Sequence, residues 1–355
     1  MIILCVAVGG SLYALKEKTR QPSESRNDAA VQSNQPERGT KSIEAYQFYL
    51  RGRELWQTRN NKKMEEGIGF FHRAIELDPN FVAPYLGIAD SLSMMRNDTE
   101  DWRQAEKYAR KALALAPDSA DAHATLAFIL AMNKWQWRAA EEEFQLALRL
   151  DANSGKAHQW YATLLLIERR FPEAETHMKR AIEIEPLSPN YNADLCELYT
   201  LTARDDEAFA QCRRTSEINP DFMYNFFDRA IYIRQKRYDE AAEAWVKATT
   251  RFGISDEEAR RRDWYRAFLK NGFRGWMLAD IEQHKKSEDA LLGIWNISTS
   301  YAALGEREKT LEYLEKAYAG RAFLLPFANV RSEFDFLRDD PQFQDLMRRV
   351  GLPKR

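Results

Sequence analysis

The sequence predicts an all-α solenoid of about seven helix-turn-helix repeats, with a degenerate hairpin and a C-terminal cap. Three observations predict it. A register residue that ends a block recurs at Pro79, Pro117, Ala152, Pro186, Pro220 and Gly253, spaced 38, 35, 34, 34 and 33 residues apart. Small residues recur seven apart inside each block, with a larger side chain between them. Similar segments such as FHRAIELDPN (71–80) and MKRAIEIEPLS (178–188) repeat one grammar, and a repeat of this period is one supersecondary unit stacked on its copies.

The columns can be read in register. Five residues before each register residue stand Ala74, Ala112, Ala147, Ala181, Thr215 and Ala248. Seven earlier stand Gly67, Ala105, Ala140, Ala174, Ala208 and Ala241, and between the two columns Phe71, Ala109, Phe144, Met178, Cys212 and Trp245. A seventh unit repeats the pattern with Thr310, Leu314 and Ala317. Small residues seven apart lie two turns apart on one helix face, where a second helix can approach to about 8 Å, and the larger side chain fills the gap. The first helix of each unit carries the complement: Gly52 and Leu55, Ala89 and Leu92, Ala127 and Leu130, Ala162 and Leu165, Cys196 and Tyr199, Ser298 and Tyr301. The proline closes the second helix because it cannot continue a hydrogen-bonded turn.

In chain order, residues 1–15 are an uncharged apolar run, short of the roughly 20 residues a membrane span needs. They are expected to be the remainder of a transmembrane helix preceded by a cytosolic domain, or a short anchor. Residues 16–41 are polar and charged and read as a disordered linker. Repeats 1–6 occupy 42–253. Residues 254–290 break the register and read as two amphipathic helices broken near Asn271–Gly275, a degenerate hairpin. Repeat 7 follows at 291–319. In the capping segment 320–355, Phe334, Phe336, Leu337, Phe343, Leu346 and Val350 are expected to close the open end of the last repeat.

Composition narrows the function. With 52 Lys and Arg against 54 Asp and Glu, the chain has no concentrated basic character, so no nucleic-acid partner is expected. Cys5, Cys196 and Cys212 form no CxxC or Cys/His cluster, which implies neither a metal site nor a disulfide framework. Cys196 and Cys212 read as buried thiols, with a disulfide or redox role as the alternative. His72, His123, His158, His177 and His284 show no metal-ligand spacing and read as satisfied or solvated. Phosphate-binding and nucleophile motifs are missing, and no catalytic residue, cofactor or metal is expected. Trp135 and Trp137 read as packing at a tight turn.

The columns resemble the tetratricopeptide-repeat (TPR) family over about residues 42–318. AYQFYLRGRELW (45–56), AIELDPNFVAPYLGIADS (74–91), AHQWYATLLL (157–166) and FDFLRDDPQFQDLMRRVGLP (334–353) further resemble the TPR module of bacterial membrane-bound signalling proteins. Those carry a winged-helix domain, a Ser/Thr kinase domain or a class III cyclase domain across the membrane. The resemblance implies a non-catalytic docking or sensory module, with a kinase or cyclase fragment or a free periplasmic scaffold as alternatives. It also implies a membrane-anchored array on the periplasmic side, although Lys16, Lys18 and Arg20 favour the cytoplasm by the positive-inside rule. First helices of a TPR stack line its concave side. The family's groove positions fall here on Arg53, Trp56, Asp90, Phe128, Gln159, Glu197, Thr200, Phe226, Ile233, Arg234 and Trp295. Aromatics mixed with a few charges suit a protein or peptide partner in that groove.

Overall fold

The computed structural model describes residues 39–352 apart from 59, 96–98, 220–224, 251–253 and 288–289. Six hairpins follow in order: α1 (Ile43–Gln57) with α2 (Asn61–Leu77), α3 (Val82–Met95) with α4 (Thr99–Leu115), and α5 (Ala120–Met132) with α6 (Trp137–Leu150). Then come α7 (Gly155–Ile167) with α8 (Phe171–Ile184), α9 (Pro189–Leu201) with α10 (Asp205–Ile218), and α11 (Asn225–Arg234) with α12 (Tyr238–Thr250). The irregular stretch is α13 (Asp256–Arg261) and α14 (Asp263–His284), and a last hairpin is α15 (Ala290–Ala303) with α16 (Arg307–Ala319). The chain ends in two 3-10 turns, Leu325–Asn329 and Ser332–Leu337, and α17 (Pro341–Arg349).

Burial separates the two helices of a hairpin. Every residue of α5 from Ala124 to Met132 is buried, whereas α6 buries only Trp137, Ala140, Phe144 and Ala147. A first helix is enclosed by neighbouring hairpins, and a second helix presents one apolar stripe and a solvated face. The small-residue columns are closed to solvent: Ala105, Ala140, Ala174, Ala208 and Ala241 are all 0% exposed. The larger side chain between them needs glycines on the first helices, since a Cβ on Gly52 of α1 or on Gly87 of α3 would stand 2.5 Å from the Phe71 ring. The turn between hairpins is held by a recurrent device six residues on. Tyr85, His123, His158 and Asn192 each reach back to the carbonyl of Pro79, Pro117, Ala152 and Pro186, which accounts for two of the five histidines.

The turn inside each hairpin is equally regular. Trp135, Arg169, Ala203, Lys236 and Gly305 all take a left-handed backbone, with φ between 55° and 70°. Arg170, Arg204, Arg237 and Glu306, each one residue on, donate backbone N–H groups to Leu165, Tyr199, Tyr232 and Tyr301, closing the helix ends. Four of these five positions carry a Cβ that strains this conformation. Ala203→Gly is therefore expected to raise stability by about 0.5–1 kcal/mol, after the entropy cost of glycine in the unfolded chain. A urea unfolding midpoint unchanged or lowered in that variant would count against this account.

Within α14 the helix breaks at Asn271–Gly272, where Gly272 has φ 60°. The two halves fold around a cluster of Trp245, Trp264, Phe268 and Trp276, which replaces the lost columns. The C-terminal segment does more than close the last hairpin. Phe334, Leu337, Phe343, Leu346 and Val350 are buried as expected, while Phe336 is exposed. The same segment also crosses to hairpins 2–4. Trp137 Nε1 donates to Val350 O at 2.8 Å, Asn329 Nδ2 to Ile167 O at 2.8 Å, and Arg321 to the carbonyls of Asn133 and Lys134. Phe323 lies 6.1 Å from Trp102, and Tyr318 5.6 Å from Trp135. One hydrophobic core thus runs from Ala89 to Leu352 and closes the array on itself.

Two expectations are corrected. Cys196 and Cys212 are joined in a disulfide that staples α9 to α10, with Cα atoms 5.3 Å apart. Facing core positions in one hairpin bring two thiols within bonding distance, which sequence spacing alone does not reveal. The membrane-anchored, periplasmic placement also falls: among the described residues no helix is long and apolar enough to cross a membrane. Residues 1–15, on which the anchor rested, lie outside the described residues.

Candidate partner-binding cavity

The predicted groove residues divide into three groups. Arg53 and Trp56 remain neighbours on α1, the guanidinium 5.2 Å from the indole ring, with Trp56 buried against Met64 and Met95. Burial lowers the Arg53 pKa, but Tyr49, Asp90 and Asp121 outweigh it and hold the group above its ordinary value. Asp90 is buried in an ion pair with Lys156 Nζ at 2.6 Å and accepts from Thr125 Oγ1 at 2.9 Å.

Phe128, Gln159 and Trp295 are interior rather than groove wall. Phe128 packs 4.6 Å from the Trp160 ring, and Gln159 Nε2 donates to Asp194 Oδ2 at 2.6 Å on the next first helix. Trp295 is 0% exposed, 5.7 Å from Phe334. The C-terminal segment and the close curl of the array cover what an open TPR groove would expose. The side chain of Phe226 lies outside the described residues.

Glu197, Thr200, Ile233 and Arg234 do converge. They line one cavity of about 90 Å³. α9 supplies Glu197, Thr200 and Leu201; α11 supplies Phe227, Arg229, Ile233 and Arg234. Met277 of α14, Ser300 and Ala303 of α15, and Arg331 and Glu333 at the second 3-10 turn complete the wall. The roles within it differ. Arg234 donates to Thr200 O at 2.8 Å and pairs with Asp205, so it ties α11 to the end of α9. Thr200 Oγ1 is spent on Cys196 O at 2.9 Å. Glu197 is 5% exposed and has no hydrogen bond or ion pair of its own among the described residues. Burial, then the neighbouring Asp194, push its carboxyl up to about 8, against a smaller opposing pull from Arg331.

Sequence reasoning misses Arg229 and Arg331. Arg229 stands four residues before Ile233, on the same helix face, and that spacing is the available signal. Its guanidinium lies over Trp245 at 4.6 Å and Trp276 at 5.2 Å. Arg331 pairs with Glu333, but its Nε is buried without a partner among the described residues. No signal in the sequence places Arg331 here, because the segment that carries it arrives from the far end of the chain. Among the described residues no group of three or more His, Cys, Asp or Glu is placed to hold a metal.

Consecutive helical hairpins and the repeat geometry together define the fold as a TPR-type solenoid. No family profile matches the chain. It is 27% identical over 190 residues to Superkiller protein 3 of Schizosaccharomyces pombe, a stretch that covers 52% of this chain and 13% of that protein. Similar solved structures include YrrB, described as a TPR protein with an unusual peptide-binding site. It is 22% identical, with 51% of this chain and 91% of that chain covered, at a TM-score of 0.34. PilW, a type IV pilus biogenesis factor, is 17% identical over 61% of this chain and 97% of its own, at 0.43. Yeast Tom70 is 15% identical over 88% of this chain and 69% of its own, at 0.48. None of these comparisons reaches the narrower resemblance to bacterial signalling proteins.

Proposed function

We propose that this chain is a non-catalytic docking module whose partner, a protein or peptide, enters the cavity between α9, α11, α15 and the C-terminal segment. The observation that carries the reading is the convergence of Glu197, Thr200, Ile233 and Arg234 on one cavity, while other groove positions are covered. Apolar side chains of Leu201, Phe227, Ile233 and Met277 would hold an anchor residue, and polar groups among them would fix its orientation. The sequence resemblance to effector-linked modules supports a regulatory setting for this docking.

A photo-crosslinking residue placed at Ile233 tests it, with the same residue at the exposed, outward Glu142 as control. A discrete adduct is expected from Ile233 in host extract, and Met277→Glu in the same protein is expected to remove it. Adducts from Glu142 alone would overturn the assignment.

A further inference from the structure

Some of the cavity's polar groups have no partner among the described residues. Arg229 makes no hydrogen bond or ion pair among the described residues, although a guanidinium carries five N–H donors. Asp280 on α14 attracts it from beyond ion-pair distance. Its guanidinium lies close to two indole rings while its N–H donors stay unused, and a planar guanidinium edge suits a bidentate acceptor. Glu197 is a second unused group. Buried polar groups are normally satisfied, so the Glu197 carboxyl and the Arg331 Nε, both without a partner among the described residues and in one wall with Arg229, mark a place where a ligand supplies the missing bonds.

The charges decide the ligand's sign. Arg234 is balanced by Asp205 and Arg331 by Glu333, which leaves Arg229 as the cation without a paired acid. Glu197 carries its proton near neutral pH, and a protonated carboxyl donates a hydrogen bond rather than repelling an acid. A cation in the same place would face three arginines.

We propose that this cavity is a carboxylate-binding site, with Arg229 as the bidentate clamp and Glu197 and the Arg331 Nε as supporting donors. Resting on the docking reading above, it names the chemistry of the anchor: an acidic side chain of the partner, or a free small organic acid of the same chemistry. A cavity of about 90 Å³ holds roughly six water-sized groups, enough for a carboxylate on a short alkyl stem.

Because Arg229 lies on Trp245 and Trp276, occupancy can be read by tryptophan fluorescence. The intact protein is titrated near neutral pH with butyrate, with butyramide as the neutral isostere, and with an end-blocked Ala-Glu-Ala peptide. Saturable change with butyrate and none with butyramide is expected. A peptide tighter than butyrate assigns the site to a partner's side chain, and the reverse assigns it to a free acid. Arg229→Lys, which keeps the charge and loses the fork, is expected to weaken either acid about tenfold. Glu197 feels Asp194 on its own helix and Arg331 from the C-terminal segment and shares the cavity wall with Arg229, Arg234 and Glu333, while Asp280 and His284 of α14 act on Arg229. Wild-type binding is therefore expected to fade as pH rises through about 8, while Glu197→Gln retains it. Butyramide matching butyrate, no saturable response to either acid, or Arg229→Lys binding like wild type would each overturn the proposal. A partner still captured from Ile233 after such a failure would leave the docking reading standing.

Discussion

Deleting residues 320–355 is expected to abolish cooperative unfolding and leave an aggregating protein, and the damage is expected to reach hairpins 3 and 4 as well as hairpin 7. Leu325, Phe327, Phe334, Leu337, Phe343, Leu346 and Val350 are all at most 3% exposed. At about 1.5–3 kcal/mol for each large apolar side chain, their burial exceeds about 10 kcal/mol, comparable with the whole stability of an ordinary domain. A simple end cap would matter only to α15 and α16, since each repeat touches its neighbours alone. Here Trp137 would lose Val350 O, and Ile167 O would lose Asn329. Amide exchange should therefore accelerate in α6 and α7 as well as in α15. Exchange confined to the last hairpin would show that the segment caps and does not close the array. Trp137→Phe is the milder test. It removes one buried donor and is expected to cost about 1–2 kcal/mol.

The repeats are legible in the sequence because their information is local. Columns at seven-residue spacing, with a period near 34, encode helix contacts inside a hairpin and between adjacent ones. Such contacts recur at fixed separations. The closure of the array is invisible by the same logic: Trp137 meets Val350 across 213 residues, and one such pairing leaves no periodic trace. Trp135 and Trp137 accordingly read as turn packing in the sequence, whereas in the fold they are the docking point of the C-terminal segment. The cavity is half legible. Thr200 and Arg234 occupy equivalent places 34 residues apart and emerge from the register, whereas Arg229 shares their face but no TPR groove position. Phe128 and Trp295 are interior in this chain, Phe128 packed on Trp160 and Trp295 on Phe334 of the C-terminal segment.

Stability is expected to fall as pH rises from 6.5 to 8, by about 1.4 kcal/mol per pH unit, and Glu197→Gln is expected to remove that slope. Burial raises the folded Glu197 carboxyl from 4.5 to about 8, so over this interval the folded protein holds a proton that the unfolded chain has released. A raised folded pKa gives a contribution that is complete below 4.5 and lost as pH climbs through about 8. The interval is chosen to isolate Glu197. His177 and His284, both depressed to about 4 first of all by burial, act the other way, but only as pH falls below their ordinary 6.5. Asp280, raised to about 6 by burial against the pull of Arg229, is largely ionised in both states above 6.5. The amide introduced by Glu197→Gln keeps the shape and a donor while removing the ionisation. That variant should therefore match wild type near pH 6.5 and exceed it by about 2 kcal/mol at pH 8. Urea unfolding at a series of pH values reads both slopes. Equal slopes in the two proteins would mean that Glu197 ionises freely in the fold, and that water or a nearby cation already satisfies it.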